Sequence, residues 1–545
     1  MRLIERRIGL LFACFLLLLG LATLRAGYLL VFKGGSLKKL AATQQVENLT
    51  EIAKRGTITD RHGTDLAVSE DASTVYATPY LVKDPVGAAE KLAPLLGQTR
   101  DEIAAVLGDR KSGFAYLARK IDPHKGARIQ RLKIPGIGIL DDSRRYYPED
   151  ALASQVLGTV GIDNKGLAGL EQDLNSKLAG SDGQQRIVKD ARGDPVSLKQ
   201  LRGERAGEDI RLTLDAPLQA RTESVLSDVG RIYQPKGATA IAMDPNTGDI
   251  LAMANWPEVN ANRVEQAPAW ARLNRAVGMT YEPGSTFKSI TVAGALSEGV
   301  VRPTTQFRLG PQIQVADRVI KEAHLTGGIF TVADILARSS NVGAVRIGLR
   351  LGPDLFDKWV HRFGFGESTD LPLPGESPGI VPGVKDYSGS SIGNLPIGQG
   401  LAVTPIQMMR AYAAIANGGV LVTPRLVMDG KPNPGRRVIA TRTAAQLQHM
   451  LEGVLGPTGT APEAAVPGYD LAGKTGTAQK AIPGGYSKTQ YIASFIGFAP
   501  ATNAKLLVAV IVDSPRGLTS GGEVAAPAFE KIASFALPYL GIAPK

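Results

Sequence analysis

The chain has 545 residues, of which 44% are hydrophobic and 21% charged, and its formal net charge is +11. This balance is typical of a globular protein of several domains and excludes a largely disordered chain. Lysine and arginine form no dense stripe with interleaved aromatic residues, so the positive charge does not indicate a nucleic-acid partner.

The first predicted element is an apolar helix over residues 8–32, IGLLFACFLLLLGLATLRAGYLLVF. It would extend about 37 Å, beyond the roughly 30 Å hydrocarbon core of a bilayer. It contains the single cysteine, Cys14, and lacks a convincing cleavage site, so an uncleaved transmembrane anchor is expected after a short cytoplasmic tail, residues 1–7. Arg25 either snorkels to the interface or meets a polar group of a partner membrane helix.

Residues 33–205 form a mixed region that is rich in loops. RGTITDRHGTDLAVS, residues 55–69, predicts two short strands around a turn at Arg61-His62-Gly63. Helices are predicted over residues 36–53, 84–108 and 148–160, and a further helix begins at residue 166 and stops at Gly180.

Residues 206–545 have a different character. A helix capped by Asp215 is predicted within residues 210–229, and a hairpin within residues 237–255. Further helices are expected at 285–299, 331–351 and 526–540, and strands at 471–480, 491–500 and 505–515. Strands at both ends with helices between them predict an α+β fold, an antiparallel sheet flanked by helices.

One short motif begins the predicted helix at 285–299. Ser285 and Lys288 are three residues apart, on one helical face. A serine at a helix start is a favoured N-cap and a lysine is often simply solvated, so the pattern has an ordinary structural interpretation. The alternative is a nucleophile beside its base, with Lys288 made neutral by burial or by a nearby cation, for which Lys474 is a candidate.

Ser339-Ser340-Asn341 follows within the helical segment at 331–351. Ser339 is suited to relay a proton to a leaving amine. Asn341 is suited to hydrogen-bond a substrate amide or to hold Lys288.

Lys474-Thr475-Gly476-Thr477 lies on a predicted strand. Such a strand offers a substrate backbone an edge for pairing, which Gly476 leaves open. Lys474 and the two hydroxyl groups suit a carboxylate. The backbone N–H of Thr477, together with that of Ser285, is suited to form an oxyanion hole.

The ordered set of three motifs resembles the active-site serine acyltransferases that bind penicillin. YEPGSTFK, SSN, IGQGLAVTPIQ, KTGTAQ and GGEVAAPAF are similar to the transpeptidase domain of class B penicillin-binding proteins. RGTITDRHG, RRYYPED and GLAGLEQ are similar to the N-terminal pedestal of that family.

The resemblance implies a membrane-anchored peptidoglycan D,D-transpeptidase of the penicillin-binding, serine β-lactamase-like fold. Its transpeptidase domain would be residues 206–545, carried on an elongated, dimerisation-like pedestal, residues 33–205. Ser285 would form an acyl-enzyme with stem peptides ending in D-Ala-D-Ala, and β-lactam inhibitors would acylate it. Lys288, Ser339, Asn341 and Lys474 would be catalytic, and Thr475, Gly476 and Thr477 would bind substrate. No metal and no cofactor are expected.

The resemblance also implies a single-pass protein of the cytoplasmic (inner) membrane whose catalytic domain lies on the outer side. YEPGSTFK and the compact pedestal look most like the division-type (FtsI-like) subgroup, with a membrane glycan polymerase of the FtsW type and other division proteins as partners. The elongation subgroup is the alternative. A β-lactamase, a penicillin sensor and a non-catalytic scaffold fit the anchor, the pedestal and the intact motifs less well.

Overall fold

The computed structural model describes residues 2–31, 46–189, 195–323 and 327–545. Contacts within the chain divide it into two compact units. The first contains Met1–Lys54, Glu70–Arg144 and Gly180–Gly207, and the second contains Arg55–Ser69, Arg145–Ala179 and Glu208–Lys545.

Up to residue 211, the helices and strands in chain order are α1 (Arg2–Val31), β1 (Val46–Glu51), β2 (Ile58–Thr59), β3 (Asp65–Ala77), α2 (Pro85–Leu96), α3 (Arg100–Gly108), β4 (Ala115–Ile121), α4 (Pro123–Arg131), β5 (Ile137–Tyr146), α5 (Ser154–Leu157), α6 (Gly169–Asp173), α7 (Asn175–Leu178), β6 (Gly183–Lys189), β7 (Pro195–Arg202) and β8 (Ile210–Arg211).

The later helices and strands follow in the same order: α8 (Ala216–Tyr233), β9 (Gly237–Met243), β10 (Ile250–Trp256), α9 (Arg275–Gly278), α10 (Lys288–Ser297), β11 (Gln306–Leu309), β12 (Gln312–Val315), β13 (Arg318–Lys321), β14 (Gly328–Thr331), α11 (Val332–Ala337), α12 (Asn341–Leu351), α13 (Pro353–Arg362), α14 (Ser391–Asn394), α15 (Pro405–Ala416), β15 (Val420–Leu421), β16 (Arg436–Arg437), α16 (Thr441–Glu452), β17 (Ala472–Ile482), β18 (Gly485–Ala499), β19 (Leu506–Asp513) and α17 (Gly521–Tyr539).

Helix α1 is apolar over Arg7–Leu29, with a mean hydropathy of 2.3, and these 23 residues are long enough to cross a bilayer. The side chains of this stretch are exposed, as expected of a helix whose apolar surface is covered by lipid. The predicted anchor is therefore helical over residues 8–31, and its last residue, 32, lies outside the described residues.

The first unit has its own small core. Val75, Leu92, Leu107, Leu117 and Ile129 are buried together where α2, α3 and α4 pack near β3 and β4. A separate three-stranded sheet pairs β6 antiparallel with β1 on one side and β7 on the other.

The second unit is built on a five-stranded antiparallel sheet in the order β10-β9-β19-β18-β17. Every residue of β9 and β19 is buried, so helices cover both faces of the sheet. Helices α8, α15 and α17 contact it, and the ring of Phe529 on α17 meets that of Phe495 on β18 at 4.7 Å. Strand β17 lies at the edge of the sheet.

The three N-terminal motifs, RGTITDRHG, RRYYPED and GLAGLEQ, meet within the second unit through one buried carboxylate. Glu171 accepts a hydrogen bond from Arg55 Nε at 2.6 Å and one from Arg145 Nε at 2.5 Å. All three side chains are at most 3% exposed. Glu171 is thus the shared partner of two buried guanidinium groups, and its removal would leave both of them without this charge partner.

Several sequence predictions need correction. Residues 46–51 form a strand and not part of a helix, and residues 36–45 lie outside the described residues. The helix predicted at 148–160 is only α5, and the one predicted from residue 166 to Gly180 is broken into α6 and α7. Helix α5 ends before Gly158, where φ is 81° and a Cβ would lie 1.8 Å from the carbonyl oxygen of Ala168. Hydrophobic periodicity carries no signal for such a contact.

Candidate active site

Ser285 lies on a 3-10 turn, Gly284–Phe287, that leads into α10. Pro283 occupies the cap position and no side chain caps the turn, so the N-cap interpretation of Ser285 is wrong. Gly284 has φ of 55°, and a Cβ there would lie 3.0 Å from the Cβ of Ala478 on β17. The turn therefore lies directly against the edge strand, with Ser285 half-buried in the wall of a cavity of about 510 Å³.

Lys288 is buried, with 1% of its surface exposed, and its amine contacts the Ser339-Ser340-Asn341 motif. Its Nζ donates to the carbonyl oxygen of Ser339 at 2.6 Å and to Asn341 Oδ1 at 2.7 Å, and lies 3.3 Å from Ser339 Oγ. Burial lowers the pKa of Lys288 to about 7, against the opposing effect of the Glu322 carboxylate. A large share of this amine is thus neutral at neutral pH.

These contacts have a consequence for proton transfer. A neutral amine has two N–H hydrogens and one lone pair. The carbonyl of Ser339 and the amide oxygen of Asn341 accept the two hydrogens at the shortest distances. The lone pair of Lys288 is then left for a hydroxyl proton, which a base requires.

Ser339 breaks the helix that the sequence predicted over 331–351. Its φ of 58° is in the left-handed region, which a serine adopts at a cost of about 1–3 kcal/mol. Helix α11 ends before it, and Ser340 caps α12 by accepting from the N–H of Gly343. The strained residue turns its carbonyl oxygen and its hydroxyl towards Lys288.

Glu322 anchors the start of α12 and was missed by the sequence analysis. One carboxylate oxygen accepts from the Ser340 hydroxyl at 2.5 Å and from the Val342 N–H at 3.2 Å. The other oxygen accepts from the Asn341 N–H at 2.9 Å. A carboxylate is favoured at a helix N-terminus, and here it fixes the orientation of the residues that hold Lys288.

Strand β17 forms the opposite wall. Lys474 is fully buried, and its Nζ lies 3.2 Å from the carbonyl oxygen of Thr475. The Thr475 hydroxyl is 2.7 Å from that of Thr460, and the Thr477 hydroxyl accepts from the N–H of Gly521 at 3.0 Å. A Cβ at position 476 would lie 3.0 Å from the side chain of Thr286. Gly476 therefore allows the 3-10 turn Gly284–Phe287, here called the serine turn, to approach the strand.

Both lysines owe their low pKa first to burial. The pKa of Lys474 is well below its usual value because the side chain is buried and, second, because Lys288 carries a like charge nearby. From the sequence, Lys474 was a candidate for the cation that lowers the pKa of Lys288. Burial is instead the leading cause at Lys288.

The cavity unites segments that are far apart in sequence. Of the predicted site residues, those that line it are Ser285, Ser339, Asn341, Thr475 and Thr477. Lys288 and Lys474 lie buried, the first in contact with Ser339 and Asn341 and the second within electrostatic reach of Lys288. The arrangement combines a half-buried hydroxyl, an amine that is neutral near pH 7 and an edge strand, which suits acyl transfer.

Two models of known protein families match this chain. Residues 238–534 match the model of the penicillin binding protein transpeptidase domain, and residues 50–212 match that of the penicillin-binding protein dimerisation domain. The chain belongs to the penicillin-binding transpeptidase family. The family predicted from the motifs is therefore confirmed.

Curated relatives of this penicillin-binding protein align over nearly its full length. Stage V sporulation protein D of Bacillus subtilis is 36% identical over 541 residues, covering 96% of this chain and 84% of the relative. Peptidoglycan D,D-transpeptidase FtsI of Escherichia coli K12 is 33% identical over 548 residues, covering 99% and 93% of the two chains.

Solved structures agree with the fold of this family member. A peptidoglycan synthetase of Bifidobacterium adolescentis has a TM-score of 0.74 at 28% identity, covering 92% of this chain and 98% of the other. Penicillin binding protein 3 of Mycobacterium tuberculosis, complexed with aztreonam, has a TM-score of 0.71 at 28% identity, covering 91% and 98%. The predicted fold class, an antiparallel sheet flanked by helices, is confirmed.

Glu322 had no signal in the sequence of this penicillin-binding protein. It directly follows the short strand β13 and belongs to none of the three motifs. Only the folded chain brings it to the N–H groups of Asn341 and Val342.

Proposed function

We propose that this chain is a membrane-anchored peptidoglycan D,D-transpeptidase that crosslinks stem peptides ending in D-Ala-D-Ala through an acyl-enzyme on Ser285. The observation that carries the proposal is the buried amine of Lys288, whose pKa is about 7. This amine donates hydrogen bonds to Ser339 and Asn341, and Lys288 lies three residues after the half-buried Ser285. We assign catalytic roles to Ser285, Lys288, Ser339, Asn341 and Lys474, and this arrangement supports the assignment.

Acylation begins when Ser285 Oγ attacks the carbonyl carbon between the two D-alanines and its proton passes to the neutral Lys288 Nζ. The N–H groups of Ser285 and Thr477 stabilise the negative charge on the carbonyl oxygen of the tetrahedral intermediate. The C–N bond then breaks, and the leaving amine of D-alanine receives a proton from Lys288 through the Ser339 hydroxyl.

Deacylation repeats these steps in reverse with a different amine. The amine of a neighbouring stem attacks the ester carbonyl, gives up a proton through Ser339 and Lys288, and Ser285 regains its proton as the ester C–O bond breaks. The product is a new amide bond between two stems. A β-lactam acylates Ser285 by the same first step, but its ring opening releases no leaving group.

Substrate binding is assigned to the edge of β17. The terminal carboxylate of the donor stem lies near Lys474 Nζ and the hydroxyl groups of Thr475 and Thr477, which are hydrogen-bond donors that suit a carboxylate. The donor backbone pairs with the strand at Gly476 and Thr477. The position of β17 at the edge of the sheet and the exposed Thr477 support this assignment.

Crosslinking by the purified full-length protein tests the proposal. Supplied with glycan strands carrying pentapeptide stems, the wild-type protein is expected to form crosslinked stem dimers and to release D-alanine, both measured by mass spectrometry. The proposal fails if penicillin-sensitive D-alanine release and dimers are both absent. Release of D-alanine with only water as the acceptor would make the enzyme a carboxypeptidase.

The remaining chain is assigned to anchoring and support. Residues 1–7 form a cytoplasmic tail, 8–32 the anchor, 33–205 a pedestal and 206–545 the transpeptidase domain on the outer side of the cytoplasmic membrane. The apolar α1 and the two matched family domains support this division. A glycan polymerase of the FtsW type is the proposed membrane partner.

The proposed task is septal wall synthesis during cell division, with the elongation role as the alternative. The FtsI relative, whose alignment covers 99% of this chain at 33% identity, supports the division role. Depleting the protein in its native cell is expected to produce filaments with unfinished septa, seen by microscopy with fluorescent D-amino acids. Round cells with normal septa would instead assign it to elongation.

A further inference from the structure

A second cavity of about 400 Å³ lies where the segment before the serine turn meets the far end of β17. Its wall includes Glu282, three residues before Ser285, and Gln479, Lys480 and Ala481 of β17. These strand residues follow directly after the segment assigned to substrate binding. None of the motif residues Ser285, Ser339, Asn341 and Thr475 lines this cavity.

The carboxylate of Glu282 is only half satisfied. Its Oε1 accepts from the Gly400 N–H at 3.0 Å and from the Tyr486 hydroxyl at 3.1 Å. Its Oε2 is buried and accepts no hydrogen bond from any residue that the structure describes. Burial raises the pKa of Glu282, which reflects the cost of an anion in this position. A buried carboxylate oxygen without a donor is the exception in folded proteins, so it requires an explanation.

The other charged groups of the cavity neutralise each other. Lys480 Nζ and Asp513 Oδ1 form an ion pair at 2.6 Å. The remaining wall includes the apolar side chains Ile380, Leu401 and Ile492. Glu282 is therefore the group in this wall that lacks a charge partner. An apolar cleft with one uncompensated carboxylate suits an alkyl chain that ends in an ammonium group.

The polarity of the donor stem on β17 determines what reaches this cavity. With the terminal carboxylate at Lys474 and Thr475 and the reacting carbonyl at Ser285, the preceding stem residue lies towards Gln479. Glu282 is three residues before Ser285, and three residues of chain span at most about 11 Å. Glu282 therefore lies close enough to the reacting carbonyl for the side chain of the preceding stem residue to reach it.

We propose that this cavity binds the side-chain amine of the donor stem residue that precedes the two D-alanines, with Glu282 Oε2 as its hydrogen-bond acceptor. This inference rests on the proposed transpeptidase function. It makes Glu282 a determinant of donor specificity, because a stem with a neutral side chain leaves the buried carboxylate without a partner.

Two donor peptides test it, L-Ala-γ-D-Glu-L-Lys-D-Ala-D-Ala and the same peptide acetylated at the lysine Nε. For full-length wild-type protein, kcat/KM for D-alanine release is expected to be about ten- to a hundredfold higher with the free amine. Glu282→Gln is expected to reduce this ratio to about one. Ile380→Trp, at a side chain that is 70% exposed, is expected to reduce it by filling the cavity without touching the carboxylate.

Glu463→Gln is the matched control, because it removes a carboxylate that lines the first cavity and is expected to keep the ratio of the wild type. The amount of benzylpenicillin bound after complete reaction gives the concentration of active sites in each preparation. Equal rates for the two peptides in the wild type, or a ratio that survives both Glu282→Gln and Ile380→Trp, would overturn the inference. Failure of the wild type to bind penicillin would instead overturn the proposed function.

Discussion

Ser285→Ala is expected to abolish covalent labelling by a fluorescent penicillin. The substitution removes the only atom of the residue that can form the ester, so the loss should be complete and not partial. Because one oxygen is removed from a half-buried side chain that caps no helix, the free energy of unfolding should change by no more than about 0.5 kcal/mol. Gel fluorescence after denaturation and a thermal melt measure the two effects.

The matched control is Thr458→Ala, which removes another hydroxyl from the wall of the same cavity and has no proposed chemical role. Its labelling should equal that of the wild type. Penicillin that stays attached to the Ser285→Ala protein after denaturation would place the nucleophile elsewhere.

The second large effect is expected at Lys288. In the proposed mechanism the neutral amine is the base, and its pKa is about 7, so the acylation rate should rise with pH and level off above neutrality. Lys288→Met keeps the length of the side chain but removes the base, so acylation should fall by about a hundredfold or more. Stopped-flow kinetics with a chromogenic β-lactam between pH 5 and pH 9 measures both results.

Glu322→Gln separates the charge at this position from its hydrogen bonding. The Glu322 carboxylate raises the pKa of Lys288, so its neutral replacement should move the midpoint of the profile to lower pH. The amide oxygen retains one acceptor for the start of α12. A flat rate in the wild type over this pH range, or wild-type acylation by Lys288→Met, would refute the assignment of the base.

Loss of activity in Lys288→Met should not reflect loss of the fold. The pKa of Lys288 is about 7 in the folded chain and 10.5 for an ordinary lysine, so the unfolded chain binds more protons between these values. The buried amine therefore destabilises the fold in full below pH 7, and this penalty disappears as the pH rises towards 10.5. A melting temperature at or above that of the wild type is expected at pH 7.

Local signals predicted the framework of the second unit well. Asp215 was expected to cap a helix, and it accepts from the N–H of Leu218 at the start of α8. The hairpin at 237–255 is formed by β9 and β10, and the three C-terminal strands are β17, β18 and β19. Caps, turns and apolar alternation act over a few residues, so one sequence suffices to detect them.

Long-range features of the site were not predictable in the same way. The motif letters identified Ser285, Lys288 and Lys474, but the strained φ of Ser339 and the contact between Gly476 and the serine turn arise from packing between distant segments. Glu322 and Glu282 gain their importance only from what surrounds their carboxylates.

In the proposed function, the Ser285 hydroxyl carries the acyl group. The most direct test of this role is peptide mapping by mass spectrometry of the wild-type protein after reaction with benzylpenicillin. Trypsin is expected to release residues 276–288, AVGMTYEPGSTFK, and fragmentation should locate one penicilloyl group on Ser285 and none on Thr280, Tyr281 or Thr286. An adduct on any other residue, or an unmodified peptide in fully reacted protein, would contradict the account.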